Sequence, residues 1–211
     1  MRKQTVRSIR VLVTAAAVLT VATLVAQDRQ GAPGGGPGRA GGRGPQTPPL
    51  LMTSTAWEDG GVIPDKYTQA GGPTSPSPEL KWSQVPMGTQ SFVLLMHDPE
   101  PVLNKGSKMD ITHWLIWNIP GTATGLAEGV AQGELPDGSR QVSLRGNGYM
   151  GPGAPPGPYH HYTFELYALD MKLDVPQGTP QQAADTHNAI VTAMDGHVLG
   201  KAILVARFHR Q

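Results

Sequence analysis

The chain has 211 residues, among them 27 glycines, 20 prolines and no cysteine, with a formal net charge of +1. The missing cysteine excludes disulfides, thiol chemistry and a lipid-modified cysteine anchor. The charge is unevenly spread: from residue 50 onward ten Lys and Arg face fifteen Asp and Glu, a net of −5. That sign argues against nucleic acid as a partner.

Arg2, Lys3, Arg7 and Arg10 precede an apolar run from Val11 to Ala26 that is broken only by Thr14, Thr20 and Thr23. A basic segment followed by a short apolar one reads as a signal peptide over residues 1–26, cleaved after Ala26, so the protein is expected to be exported to the periplasm or beyond. The alternative is an uncleaved membrane anchor, although a spanning helix wants about 20 apolar residues. Residues 27–49 are rich in Gly and Pro and have almost nothing to bury, so they are expected to form a disordered linker. The remaining residues 50–211 suffice for one domain with its own core.

Within that domain strand patterns dominate. Leu51–Trp57 and Leu80–Ser83 read as partly exposed strands, separated by a proline-rich loop from Pro73 to Pro78. Ser91–His97, Trp114–Ile119, Tyr162–Leu169 and Ile203–Phe208 are nearly continuous apolar runs that suit strands buried in a two-sheet core. A single helix is predicted from Thr179–Pro180, with Thr179 and Gln182 as a capping box. Its apolar face would comprise Ala183, His187, Ile190, Val191 and Met194, and Gly196 would end it. A short turn, His197–Lys201, would lead into the last strand. The expected architecture is therefore a mainly β, Greek-key two-sheet sandwich with a peripheral C-terminal helix.

Several polar residues sit where these apolar runs begin or end. Asp98 and Glu100 close the first core strand and, in an extended chain, point the same way, with His97 on the other face. His113 opens the second run. Arg145 to Pro158 is a loop of glycines and prolines that delivers His160, His161 and Tyr162 to the third. Alternation sends His160 and Tyr162 to one face and His161 to the other. Asp98, His113, His160 and Tyr162 with backbone N–H groups of Gly151 or Gly153 would make a donor-rich cavity suited to a phosphate or carboxylate. The same residues also read as a metal site of two histidines and a carboxylate, or as acid/base catalysts. Against these stand the lack of close histidine spacing, of a Gly-x-Ser-x-Gly elbow and of any conspicuous nucleophile.

Four blocks resemble the phosphatidylethanolamine-binding protein family, in its bacterial Raf-kinase-inhibitor-like branch. They are Trp57–Thr68 with Ser75–Trp82, Asp98-Pro99-Glu100, His113–Pro120, and Gly148–Pro152 with Pro155-Pro156-Gly157 and His160–Phe164. The resemblance implies a Greek-key sandwich whose pocket, at one end, accepts phosphate, acetate or a phosphoethanolamine-type head group. It implies Asp98, His113, His160 and Tyr162 as pocket polar residues, Gly151, Pro152 and Pro155 at the rim, and Glu100 as the second acid. It implies a binding or regulatory protein with no cofactor and no catalytic residue, whose contact with membranes is limited to a head group or an uncleaved signal segment. A hydrolase acting on phosphoryl or acyl groups, and an inhibitor module docking through the pocket rim, are the other readings. This chain departs from the family pattern in its Glu100-Pro101, its cysteine-free Gly151–Pro156 loop and its Asn104–Asp110 segment.

Overall fold

A computed structural model describes residues 48–101, 105–106 and 110–211. The expected signal peptide and all but the last two residues of the expected linker lie outside them. Among the described residues no helix is long and apolar enough to cross a membrane.

The strands are β1 (Leu51–Thr53), β2 (Gly61–Val62), β3 (Leu80–Ser83), β4 (Ser91–Asp98), β5 (Ile111–Pro120), β6 (Gly125–Leu126), β7 (Arg140–Val142), β8 (His160–Leu169) and β9 (Val198–Phe208). They form a three-stranded sheet in the order β1-β3-β6 and a six-stranded sheet in the order β2-β9-β8-β4-β5-β7. Phe92, Leu94 and Met96 of β4 and Phe164, Leu166 and Ala168 of β8 fill the layer between the sheets, against Leu80 and Trp82 of β3. The alternate residues Val93 and Leu95 face a second layer, which is closed by Ile190 and Met194 at the helical C-terminal end. Burial on both faces explains why β4 and β5 read as unbroken apolar runs, whereas β8, whose Thr163, Glu165 and Tyr167 are half-buried, alternates.

The predicted helix is present. A 3-10 turn over Pro180–Gln182 leads into α1 (Ala183–Ala193), with the Thr179–Gln182 capping box made. Gly196 takes the left-handed φ of 79° that ends it. Its packed face differs from the expectation: Thr186 is buried with Ala183 and Ile190, while Val191 is 48 % exposed. The short turn expected at His197–Lys201 is largely strand, because β9 begins at Val198 and follows β8 along its whole length. The first strand is correspondingly shorter than Leu51–Trp57, since Trp57 instead turns its indole into the sandwich layer and donates to the Val205 carbonyl at 3.0 Å.

Two irregularities in β5 decide which of its side chains reach the inter-sheet layer. Pairing with β4 shifts between Phe92 and Val93, opposite Asn118, whose φ is 59°, and again between Met96 and His97, opposite His113. At the second bulge one extra residue is accommodated, so His113 and Trp114 both turn toward that layer. Thr112, on the far side, meets His187 of α1 at 3.4 Å.

Candidate functional site

The polar residues converge at the end of the sandwich where β4 finishes and β8 begins. His160 lies opposite Phe208 at the start of β8, and Asp98 is the last residue of β4. Asp98 is only 2 % exposed, and its Oδ2 is 2.8 Å from His160 Nδ1. A buried carboxylate needs such a partner, because removing its charge from water is costly. Its other oxygen accepts the Glu100 N–H at 3.1 Å. With Nδ1 held by Asp98, the Nε2 of His160 is the ring nitrogen left for a ligand.

Tyr162, two residues on and on the same face, is buried. Its hydroxyl accepts the N–H groups of Gly153 at 3.1 Å and Ala154 at 3.0 Å. Burial, followed by the charge of Asp98, holds its pKa well above the ordinary phenol value. The hydroxyl is thus a fixed neutral group that anchors the Gly/Pro loop. This revises the expectation that the Gly153 N–H faces a ligand, since Tyr162 already occupies it.

His113 packs its ring edge-on against Tyr162, with centroids 5.0 Å apart. Its Nδ1–H donates to the Met150 carbonyl at 2.9 Å. Burial lowers its pKa, and the opposing pull of the Met150 carbonyl and of the Asp98 charge does not reverse that. His113 is therefore a neutral imidazole with Nε2 as an acceptor, and not a further donor of the donor-rich cavity that the sequence suggested.

Glu100 is bound in a way that alternation conceals. Its carboxylate takes the His161 N–H at 2.7 Å and the His161 Nδ1 at 2.7 Å. Burial works against it, yet these bonds hold the Glu100 carboxyl below its ordinary range. Each of the paired histidines thus has its own acid, His160 with Asp98 and His161 with Glu100. The signal was present as two acids two positions apart opposite two adjacent histidines, but the outward direction of His161 hid it.

The loop residues form one wall. Gly151 is buried because its Cα packs on backbone: an added Cβ would lie 2.5 Å from the Tyr67 carbonyl oxygen. Its own carbonyl accepts from Gln69 Nε2 at 2.9 Å, and Pro152 accepts the Gln69 N–H at 2.8 Å. Pro155 stands exposed beyond this wall. One ligand atom from each of Asp98, Glu100 and His160 can be found within 4.8 Å of the others, so these three residues could hold a cation as well as border an anion.

The chain is thus a two-sheet sandwich with a buried acid–histidine pair at one end, walled by a glycine-proline loop. The family profile described as phosphatidylethanolamine-binding protein matches residues 53–209, and the chain belongs to that family. A protein named UPF0098 protein from Methanothermobacter thermautotrophicus is 42 % identical over 164 residues, covering 76 % of this chain and 99 % of that protein. YbhB of Escherichia coli is 33 % identical over 137 residues, covering 61 % and 84 %. Among solved structures, the putative phosphatidylethanolamine-binding protein homologue CT736 of Chlamydia trachomatis superposes with a TM-score of 0.64 at 30 % identity, covering 77 % of this chain and 99 % of that one. YbcL of Escherichia coli shares the fold, with a TM-score of 0.64 at 24 % identity, covering 77 % and 99 %.

Proposed function

We propose that this protein binds a small anionic ligand, a phosphate, a carboxylate or a phosphoethanolamine-type head group, without transforming it. The observation that carries the reading is the Asp98–His160 pair at 2.8 Å. It leaves one imidazole nitrogen to donate to an oxyanion, while the buried aspartate balances the charge that donation requires. Neutral His113 complements it, because an acceptor nitrogen suits the hydroxyl of a monoprotonated phosphate or the ammonium of an ethanolamine. Gly151 and Pro152 would close the rim, and Glu100 with His161 would shape its outer edge.

The test is calorimetry with phosphate and with phosphoethanolamine on the wild type, His160→Ala and His113→Ala. Binding that both substitutions abolish supports the reading, and wild-type affinity in His160→Ala sinks it. Hydrolysis of a phosphoryl or acyl group is a second reading, favoured only by the acid–histidine pair, which is also how a general base is oriented. Turnover of a nitrophenyl phosphate or ester that disappears in His160→Ala would favour it.

Export forms part of the proposal, on the strength of the basic and then apolar residues 1–26. Finding the full-length chain, Met1 retained, in the cytosol after cell fractionation would refute it.

A further inference from the structure

Beside this pocket lies a cleft of about 820 Å³ that none of Asp98, His113, His160 or Tyr162 lines. The two share a wall. Met150 and Gly151 border the cleft, and Met150 is also the residue whose carbonyl takes the His113 Nδ1–H. The opposite side comes from the Gly72–Ser77 loop and from Gly129–Gln132.

Its charge is one-sided. Arg145 and Arg210 line it, and among the described residues no Asp or Glu does, in a domain portion whose net charge is −5. Among the described residues neither arginine forms a salt bridge, whereas Lys66, Lys81 and Lys201 each do. Arg145 gives one N–H to Gln69 Oε1 at 2.9 Å, which fixes the guanidinium and leaves the rest of its donors unused. Arg210 is held at the rim through its backbone, which donates to the Ala154 carbonyl at 3.2 Å.

Much of the polar wall bonds within the protein. Ser75 Oγ donates to Thr68 and Gly72 carbonyls, Ser77 Oγ accepts the Val130 N–H, and Gln132 Nε2 donates to the Tyr149 carbonyl. The cleft is preformed, and the charged hydrogen-bonding groups that line it are two guanidinium groups. Guanidinium forks match carboxylate and phosphate oxygens in pairs.

We infer that this cleft is a second binding site, distinct from the Asp98–His160 pocket, for a carboxylate- or phosphate-bearing small molecule larger than inorganic phosphate, held by Arg145 and Arg210. The inference does not depend on what fills the first pocket.

Citrate is a suitable probe, followed by amide chemical shifts of residues 48–211 within the full chain. Wild-type protein should show shifts at Thr74–Ser77 and Gly129–Gln132 at millimolar citrate. The double variant Arg145→Gln/Arg210→Gln should weaken them about tenfold or more, while leaving the phosphate response around Asp98 and His160 intact. His160→Ala should do the reverse. Both arginines are exposed, so the double variant is expected to fold, which its melting temperature checks. Absence of cleft shifts, or cleft shifts that the double variant leaves unchanged, overturns the inference. Cleft shifts without any response at His160 would sustain it while removing the first pocket's proposed function.

Discussion

Asp98 and His160 stand 62 positions apart in sequence and 2.8 Å apart in space, one ending β4 and the other opening β8. Adjacent strands bring them together, and burial of the carboxylate makes the contact obligatory. Removing one partner therefore does more than remove a contact. His160→Ala leaves Asp98 buried without its hydrogen-bond partner, and we expect a loss of about 2–3 kcal/mol in urea unfolding, discounted because the imidazole is 22 % exposed. Asp98→Asn in the same background should recover much of it. A double variant no more stable than His160→Ala would refute this pairing energy.

Tyr162→Phe keeps the ring against His113 but strips the acceptor from the Gly153 and Ala154 N–H groups. Leaving buried donors unpaired costs about 1–3 kcal/mol. The same variant should weaken phosphate binding by loosening the wall, and unchanged amide exchange at Ala154 would show that the hydroxyl does not hold the loop.

Gly151 and Gly153 should respond differently to alanine. At Gly151 the new Cβ meets Tyr67 and Thr68 backbone, which cannot yield, and a cost of about 2–3 kcal/mol is expected. At Gly153 it meets the end of the Gln69 side chain, which can swing aside, so the cost should stay under about 1 kcal/mol. Equal melting temperatures for the two variants would contradict this.

Stability should pass through a maximum near pH 6.5, set by Glu165, His187 and His97 on the far face of the sheet together with the buried His113. Glu165 is drawn down to about 2, chiefly by the His97 imidazole, whose Nε2 lies 3.7 Å from its carboxylate, against the effect of burial, and further by Lys201 and Tyr167. A carboxyl lowered in the folded state contributes stability above its unfolded value, about 4.3, that is lost as pH falls toward 2. Burial lowers His113 and His187, so both favour the folded state increasingly as pH climbs to about 6.5. His97 behaves oppositely: burial pulls it down, but Glu165 and Asp110 outweigh that and raise it. Its contribution is complete below about 6.5 and is lost as pH rises through the raised value. Melting temperatures across pH should show this maximum, and His97→Gln should flatten the alkaline limb. An unchanged alkaline limb in that variant would exclude His97 as its source.

Much of the fold was legible because β4 and β5 are buried on both faces, which writes an unbroken apolar run into the sequence, and because β8 alternates buried with half-buried residues. The helix was legible through the local chemistry of Thr179 and Gln182. Strands β2, β6 and β7 were not, since two or three residues carry no periodicity. Within the site, Asp98, His160 and Tyr162 follow from alternation along single strands. His113 does not sit where alternation puts it, because a bulge is a property of the pairing between β4 and β5. Neither the Glu100–His161 pair nor the state of His113 could be read locally, since each depends on a neighbour far along the chain or on burial.

The bulge at His113 also separates two ways of losing the site. Shortening β5 by one residue at Thr112 would remove no titratable group and would leave the inter-sheet layer its tryptophan. The ladder would then run in regular register, and the residue preceding Trp114 would turn toward α1, where Thr112 lies in the intact strand. Ring substitutions at this position alter the chemistry presented to a ligand, whereas a frame change in the strand withdraws the position altogether. Within a scaffold of this kind, indels at one rung act as an on–off lever, and point changes act as a dial.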